Sequence, residues 1–323
     1  MDVENDSRAR TGADGQVDWE RVHDLLVKTS RTFALAIPVL PRPTLQEVTV
    51  AYLLFRIADT FEDASREWPE ERQLWALDEF ARLLRDPSPP AARGLATDCR
   101  EPAPTAHAGY LELLAEIPLV MDAFAELSVE AKASVRRHTL RTAEGMAGFV
   151  RRTGSDGVLR LDSVEDLRDY CYVVAGIVGE MLTDLFLLAG PELAAVADGL
   201  RRRAALFGEG LQLVNILKDS AADAGEGRNY VPAGIGRERI FELARADLDA
   251  AAEYCLAIQQ AGGPVGILRF TALPVALAWA TLDRVEESGP GAKLTRTEVY
   301  LIQRRMNRAI ATDRPVLTPP VNA

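Results

Sequence analysis

The run from Ala51 to Ala64 reads AYLLFRIADTFEDA, and it restricts the chain to few architectures. It contains no helix breaker, and Leu53, Leu54, Ile57, Ala58 and Phe61 recur at helical spacing. Asp59 and Asp63 therefore fall one turn apart on one face, with Glu62 beside them. Two carboxylates so placed repel by roughly a few tenths of a kcal/mol on an isolated helix. The repulsion grows where water is excluded, unless a cation sits between them. An isolated pair of this kind also suits a solvated helix end. Here, however, the acids follow an apolar run, and Arg56 lies one turn earlier, where a guanidinium can meet a substrate anion.

A second stretch answers the first. Gly210 to Asp223 reads GLQLVNILKDSAAD and carries the polar stripe Gln212, Asn215, Asp219 and Asp223 on an otherwise apolar helix. A core helix has no use for four polar residues on one face, whereas a helix lining a polar site does. The spacing predicts two acidic stripes facing each other across a helical bundle. Together they would offer hard oxygen ligands of the kind that hold Mg²⁺ jointly with substrate phosphates.

Composition removes other readings. At 323 residues and 48% hydrophobic, the chain can bury one large helical core or two. A net charge of −11 argues against nucleic acid as the partner. Cys99, Cys171 and Cys255 form no CxxC pair, which fits reduced thiols and a cytoplasmic setting. His23, His107 and His138 are scattered, so a histidine metal site is not expected. The polar, acidic start is no signal peptide. The most apolar stretch, Val173 to Gly190, is interrupted by Glu180 and Asp184, so no transmembrane segment is expected.

In chain order, residues 1–15 read as a disordered tail, 16–312 as one all-α domain, and 313–323 as a flexible end. Helices are expected from Val17, through the Asp59 run after Pro41 and Pro43, and from Trp68 onward. Residues 86–108 read as a loop with weak helix near 91–99. Further helices are expected at 109–127, 129–152, from Asp162 to Leu188, at 236–262, at 265–287 and at 295–311. No strand pattern of any length appears. A third DxxxD, Asp162 to Asp166, opens a helix: Asp162 or Ser163 reads as its N-cap with acids in the first turn, and no catalytic role. Small residues at 175, 176 and 179 admit close approach of a helix or a ligand. The break at 224–232 reads as a lid or a turn. The basic end of the last helix, Arg304 to Arg308, reads as a solvated face.

Five pieces in order, TSRTFALAI (29–37), FRIADTFED (55–63), YCYVVAGIVGEML (170–182), LQLVNILKDSAAD with GRNYVP (211–232) and LRFTALPVALAWATL (268–282), resemble the squalene/phytoene synthase family of head-to-head prenyl transferases. The resemblance covers residues 20 to 310. It implies a single all-α bundle of the isoprenoid (terpene) synthase type with a central apolar cavity. Asp59, Asp63, Asp219 and Asp223 match the metal-holding aspartates, with Mg²⁺ (or Mn²⁺) as the expected cofactor. Arg31, Tyr52, Arg56 and Lys218 match positions that contact diphosphate, and Gln212 and Asn215 match the polar positions before the second motif. Tyr170 matches a tyrosine implicated in the reaction, beside Asp59 and Asp219 as catalytic groups, and Phe270 matches an aromatic near the cavity. Two departures stand out. Lys218 replaces the family's usual Arg and loses bidentate phosphate geometry, and Ala222 replaces a Glu.

The resemblance implies that two farnesyl diphosphates are joined to presqualene diphosphate, which NADPH then reduces to squalene. No dinucleotide fingerprint is present to place NADPH. The spellings sit closer to squalene-forming members than to phytoene-forming ones. Formation of phytoene or dehydrosqualene without NADPH, arrest at presqualene diphosphate, and an idle helical scaffold are the alternatives. A cytoplasmic protein, peripheral at the membrane for product release, is the expected setting.

Overall fold

The computed structural model describes residues 16–30, 32–153, 158–225 and 227–317. The expected tail at 1–15, the predicted site residue Arg31 and residues 318–323 lie outside them. Contacts divide the chain into two compact units. One comprises the chain up to Ile37 together with Leu45–Arg151, and the other comprises Pro38–Thr44 and the chain from Arg152 onward. Both are helical, in agreement with the all-α expectation.

In the first unit, α1 (Trp19–Thr29) is capped by Asp18, which accepts from the Arg21 amide at 3.0 Å. The Ser30 hydroxyl accepts from the Phe33 amide at 2.9 Å and opens the short α2 (Phe33–Ala36). Then α3 (Thr44–Glu62) runs without a breaker and ends in a tight 3₁₀ turn, Asp63–Arg66. It is followed by α4 (Glu70–Arg85), begun at Pro69, and α5 (Pro89–Asp98), capped by Ser88. That last helix is longer than the weak helix expected within the 86–108 loop. The single helix expected at 109–127 is two, α6 (Ala108–Ala115) and α7 (Ile117–Glu126). Pro118 is the reason, because it has no N–H to give to the preceding turn. The unit closes with α8 (Val129–Val150), capped by Ser128 and packed along α4.

In the second unit, α9 (Val164–Cys171) passes through a π turn, Tyr172–Gly176, into α10 (Ile177–Ala189). The Ser163 hydroxyl caps α9, accepting from the Asp166 amide at 3.1 Å, as expected of the third DxxxD. The long α11 (Ala197–Gly225), α12 (Arg237–Gln260), α13 (Val265–Ser288) and α14 (Arg296–Ala311) complete it. A two-residue parallel pair, β1 (Leu159–Arg160) with β2 (Arg228–Asn229), is the extended element among the described residues. The small residues at 175–179 serve helix packing. A Cβ on Gly179 would lie 1.9 Å from the Ala204 carbonyl oxygen, and one on Gly208 would lie 2.0 Å from that of Ala175.

Val164–Ala189 and Val265–Ser288 are long and apolar enough to cross a membrane, because isolated acids such as Glu180 and Asp184 leave the average hydropathy high. In the most apolar 18-residue stretch of each, 50% of the first and 61% of the second are buried inside the protein, as in core helices. The end expected to be flexible from 313 is held as far as Leu317. The Gln259 amide donates to the Arg314 carbonyl and accepts from the Val316 amide at 2.8 Å, and Val316 and Leu317 are buried.

Candidate active site

Each unit carries one acidic pair, and each is built differently. In the first, the C-terminal end of α3 is fixed by packing and capping. Phe61 is fully buried against Trp68 and Phe80. The buried Gln73 amide donates to the carbonyls of Phe61 at 3.0 Å and Glu62 at 2.6 Å, two groups a helix end leaves without internal partners. Asp59 and Asp63 therefore project from a rigid turn. Asp59 lies on α3 and Asp63 opens the 3₁₀ turn.

Arg56 meets Asp59 at 3.2 Å, and each side chain keeps about a quarter of its surface open. Burial pushes the Asp59 carboxyl up to about 6; Arg56 opposes that rise and the charge of Asp63 adds to it. Burial works against the Arg56 charge, but Asp59, Tyr52 and Tyr110 outweigh it and hold the guanidinium above its usual range. The Arg56 Cζ lies 5.6 Å from the Tyr52 ring centroid and 5.3 Å from that of Tyr110. Tyr52 is itself pinned, its hydroxyl donating to the Thr29 carbonyl at 2.8 Å.

In the second unit the polar stripe lies on α11. The Lys218 ammonium sits 3.1 Å from Asp219 and donates to the Asn215 amide oxygen at 3.4 Å. Asp223 pairs with Arg228 at 3.6 Å. Gln212 is half-buried one turn earlier. Tyr170 is buried, stacked on Tyr230 with centroids 4.6 Å apart, and its hydroxyl donates to the Tyr230 hydroxyl at 2.9 Å. Phe270 is shut away from solvent, edge-on to Phe186 at 5.8 Å. Thus Tyr52, Arg56 and Asp59 come together in one unit, with Asp63 a turn away. In the other, Asn215, Lys218 and Asp219 come together, while Tyr170 and Phe270 sit in separate aromatic pairs.

Sequence reasoning gave no role to Tyr110, Arg228 or Tyr230. The last two lie in the quoted GRNYVP piece, so a signal existed there. Tyr110, in an Ala- and Leu-rich helix, carried none. Also unassigned was a buried cluster in which Arg168 of α9 holds Glu209 of α11 at 2.9 Å and Asp247 of α12 through both amino groups.

Among the described residues, no group of three or more His, Cys, Asp or Glu forms a complete metal site. The donor chemistry nevertheless fits Mg²⁺, which takes one or two carboxylates and fills its shell with water and phosphate oxygens. The burial-raised Asp59 beside Asp63 is a charge arrangement that a divalent cation relieves.

Residues 26–239 match the squalene/phytoene synthase family, a span holding both acidic pairs and Tyr170. The chain belongs to the squalene/phytoene synthase family. Among its relatives is the squalene synthase of Eremothecium gossypii, 27% identical over 307 residues, covering 84% of this chain and 63% of that protein. The squalene synthase of Schizosaccharomyces pombe is 28% identical over 286 residues, covering 82% and 59%. The chain thus spans less than two thirds of these relatives' length. Among solved structures, TcSQS in complex with a ligand superposes with a TM-score of 0.70 at 26% identity, over 89% of this chain and 86% of that one. A dehydrosqualene synthase shares the fold, with a TM-score of 0.58 at 18% identity over 91% and 97%. Phe270 lies outside the span matched to the squalene/phytoene synthase family, whereas the other described site residues lie inside it.

Proposed function

We propose that this chain is a Mg²⁺-dependent prenyltransferase that joins two farnesyl diphosphates through presqualene diphosphate and, with NADPH, forms squalene. The observation that supports it is the Arg56–Asp59–Asp63 cluster: a guanidinium over two tyrosine rings beside a carboxylate whose burial, with Asp63 near it, works against its negative charge. Asp59 and Asp63, and likewise Asp219 and Asp223, would hold Mg²⁺ on the diphosphates. The metal neutralises phosphate charge, and NADPH supplies a hydride; no residue is assigned to the nucleotide.

The chain's own residues account for the rest. Arg56 and Lys218 take up the negative charge that develops on a departing diphosphate as the allylic C–O bond ionises. The double bond of the second molecule captures the cation, and loss of a proton closes the cyclopropane ring. Tyr170, buried against Tyr230, offers an aromatic face to cationic carbon, and the departed diphosphate is the base that accepts the released proton. The apolar π turn beside it, with Val173 and Val174 half-buried, offers apolar surface suited to a prenyl chain. We place the protein in the cytoplasm, delivering its product at a membrane surface. Its three buried, unbridged cysteines support a reducing compartment.

The test is incubation of purified protein with farnesyl diphosphate and Mg²⁺, with and without NADPH, and identification of the lipid. Squalene with NADPH and presqualene diphosphate without it are expected. A conjugated triene at saturating NADPH would refute the product, and no condensation at all would refute the activity.

A further inference from the structure

Arg56 sits within a row of rings. Phe33 tilts onto Tyr52 with centroids 5.6 Å apart, Tyr52 and Tyr110 both lie within cation–π reach of the guanidinium, and His107 stacks on Tyr110 at 4.0 Å. The ring of Tyr110 has little freedom to move. Its neighbour Gly109 brings α6 so close to α1 that a Cβ there would lie 2.5 Å from the Lys28 carbonyl oxygen. The His107 Nδ1 accepts from the Tyr110 amide at 3.3 Å, fixing the first turn of α6. The Arg56 Nε is buried with no hydrogen-bond partner, and the Nη1 amino group reaches Asp59 at 3.2 Å.

A guanidinium donates hydrogen bonds only in its own plane. With its Cζ over the rings of Tyr52 and Tyr110, the Arg56 guanidinium is held by cation–π attraction, and about a quarter of the side chain stays open to meet an anion. A flat edge with paired N–H groups matches two oxygens of a phosphate.

We propose that Tyr110 is a positioning residue for anion capture: with Tyr52 it holds the Arg56 guanidinium in place by cation–π attraction, so that its exposed N–H groups receive the substrate diphosphate. This rests on the reading of Arg56 as a diphosphate contact and extends it to a residue on another helix that no acidic motif marks. Tyr110 itself touches no reacting atom. Its contribution is the π face, so its hydroxyl is dispensable.

The experiment titrates inorganic pyrophosphate with Mg²⁺ into the full chain by calorimetry, alongside thermal melting and steady-state kinetics. Tyr110→Phe is expected to bind within about twofold of wild type. Tyr110→Met, similar in bulk but without a π face, is expected to bind about tenfold more weakly, the loss of a partly desolvated cation–π contact. Its KM for farnesyl diphosphate should rise by a similar factor with kcat nearly unchanged, because the contact serves ground state and transition state alike. Tyr110 is only half-buried, so both variants should fold, and Tyr110→Leu serves if Met does not. Pyrophosphate affinity equal to wild type in Tyr110→Met, or an equal loss in Tyr110→Phe, overturns the proposal alone. Undiminished binding by Arg56→Met, or no binding by wild type, overturns the diphosphate reading and the proposal with it.

Discussion

Arg168 is a group whose removal should be felt strongly. It holds Glu209 at 2.9 Å and Asp247 through both amino groups, and the three side chains are 30%, 9% and 3% exposed. Burial pushes both carboxyls up, with Arg168 pulling each back toward the charged form. Arg168→Met leaves two buried acids without their counter-charge. Breaking a buried pair costs about 3–5 kcal/mol, and the partial exposure of Arg168 argues for about 3 at pH 8. The pH dependence has a definite sign. A carboxyl whose folded pKa lies above its unfolded one destabilises the fold when ionised, and the cost is relieved as pH falls through the folded value. The deficit of Arg168→Met relative to wild type should therefore shrink as the pH falls from 8 to 5. Urea unfolding followed by circular dichroism across that range measures it. Glu209→Gln, which keeps the Arg168–Asp247 pair, should lose less than about 1 kcal/mol. A loss below about 1 kcal/mol at pH 8 for Arg168→Met, or one that grows on acidification, would refute the reasoning.

Two other substitutions separate structural from chemical acids. Asp166→Asn removes an ion pair to Arg152 at 2.9 Å and a bond from the Asp162 amide; it should cost about 1 kcal/mol or less in a urea melt and leave the rate per folded enzyme unchanged. A large rate loss at constant stability would mean that this carboxylate had been misread. Gly179→Ala drives a methyl into the Ala204 carbonyl and should destabilise by about 3 kcal/mol or more, read in the same melt. A cost under about 1 kcal/mol would show that α10 and α11 can part without penalty.

The helices were legible because their apolar spacing is local information, and α12, α13 and α14 begin and end within a residue or two of their expected limits. The acidic pairs were legible for the same reason: two acids four apart on an apolar helix form a pattern within one segment. What was hidden depends on tertiary contact. Nothing around Tyr110 indicates that its ring will meet Arg56, some fifty positions earlier in the chain. Arg168, Glu209 and Asp247 belong to three helices, and each alone reads as an ordinary surface charge. The π turn at Tyr172–Gly176 leaves an apolar, small-residue pattern like that of any packed helix. The break at Pro118 was written in the sequence, but the apolar periodicity on both sides concealed it.

The two acidic pairs are electrostatically unequal, and that inequality has a measurable consequence. On α11 each acid already faces a cation: Lys218 lies 3.1 Å from Asp219, which is 44% exposed, and Arg228 lies 3.6 Å from Asp223. On α3, Asp59 has given up much of its water, and Asp63 adds a second negative charge on the same face. There Arg56 is shared between Asp59 and the rings of Tyr52 and Tyr110. Attraction to a divalent cation is stronger where the effective dielectric is lower. The first pair should therefore dominate metal affinity. Mn²⁺ titrations in the presence of pyrophosphate test this: Asp59→Asn should weaken metal binding by about tenfold or more, and Asp223→Asn by clearly less. Equal losses in the two variants would show that the local balance of charge on each helix does not govern where the metal is held.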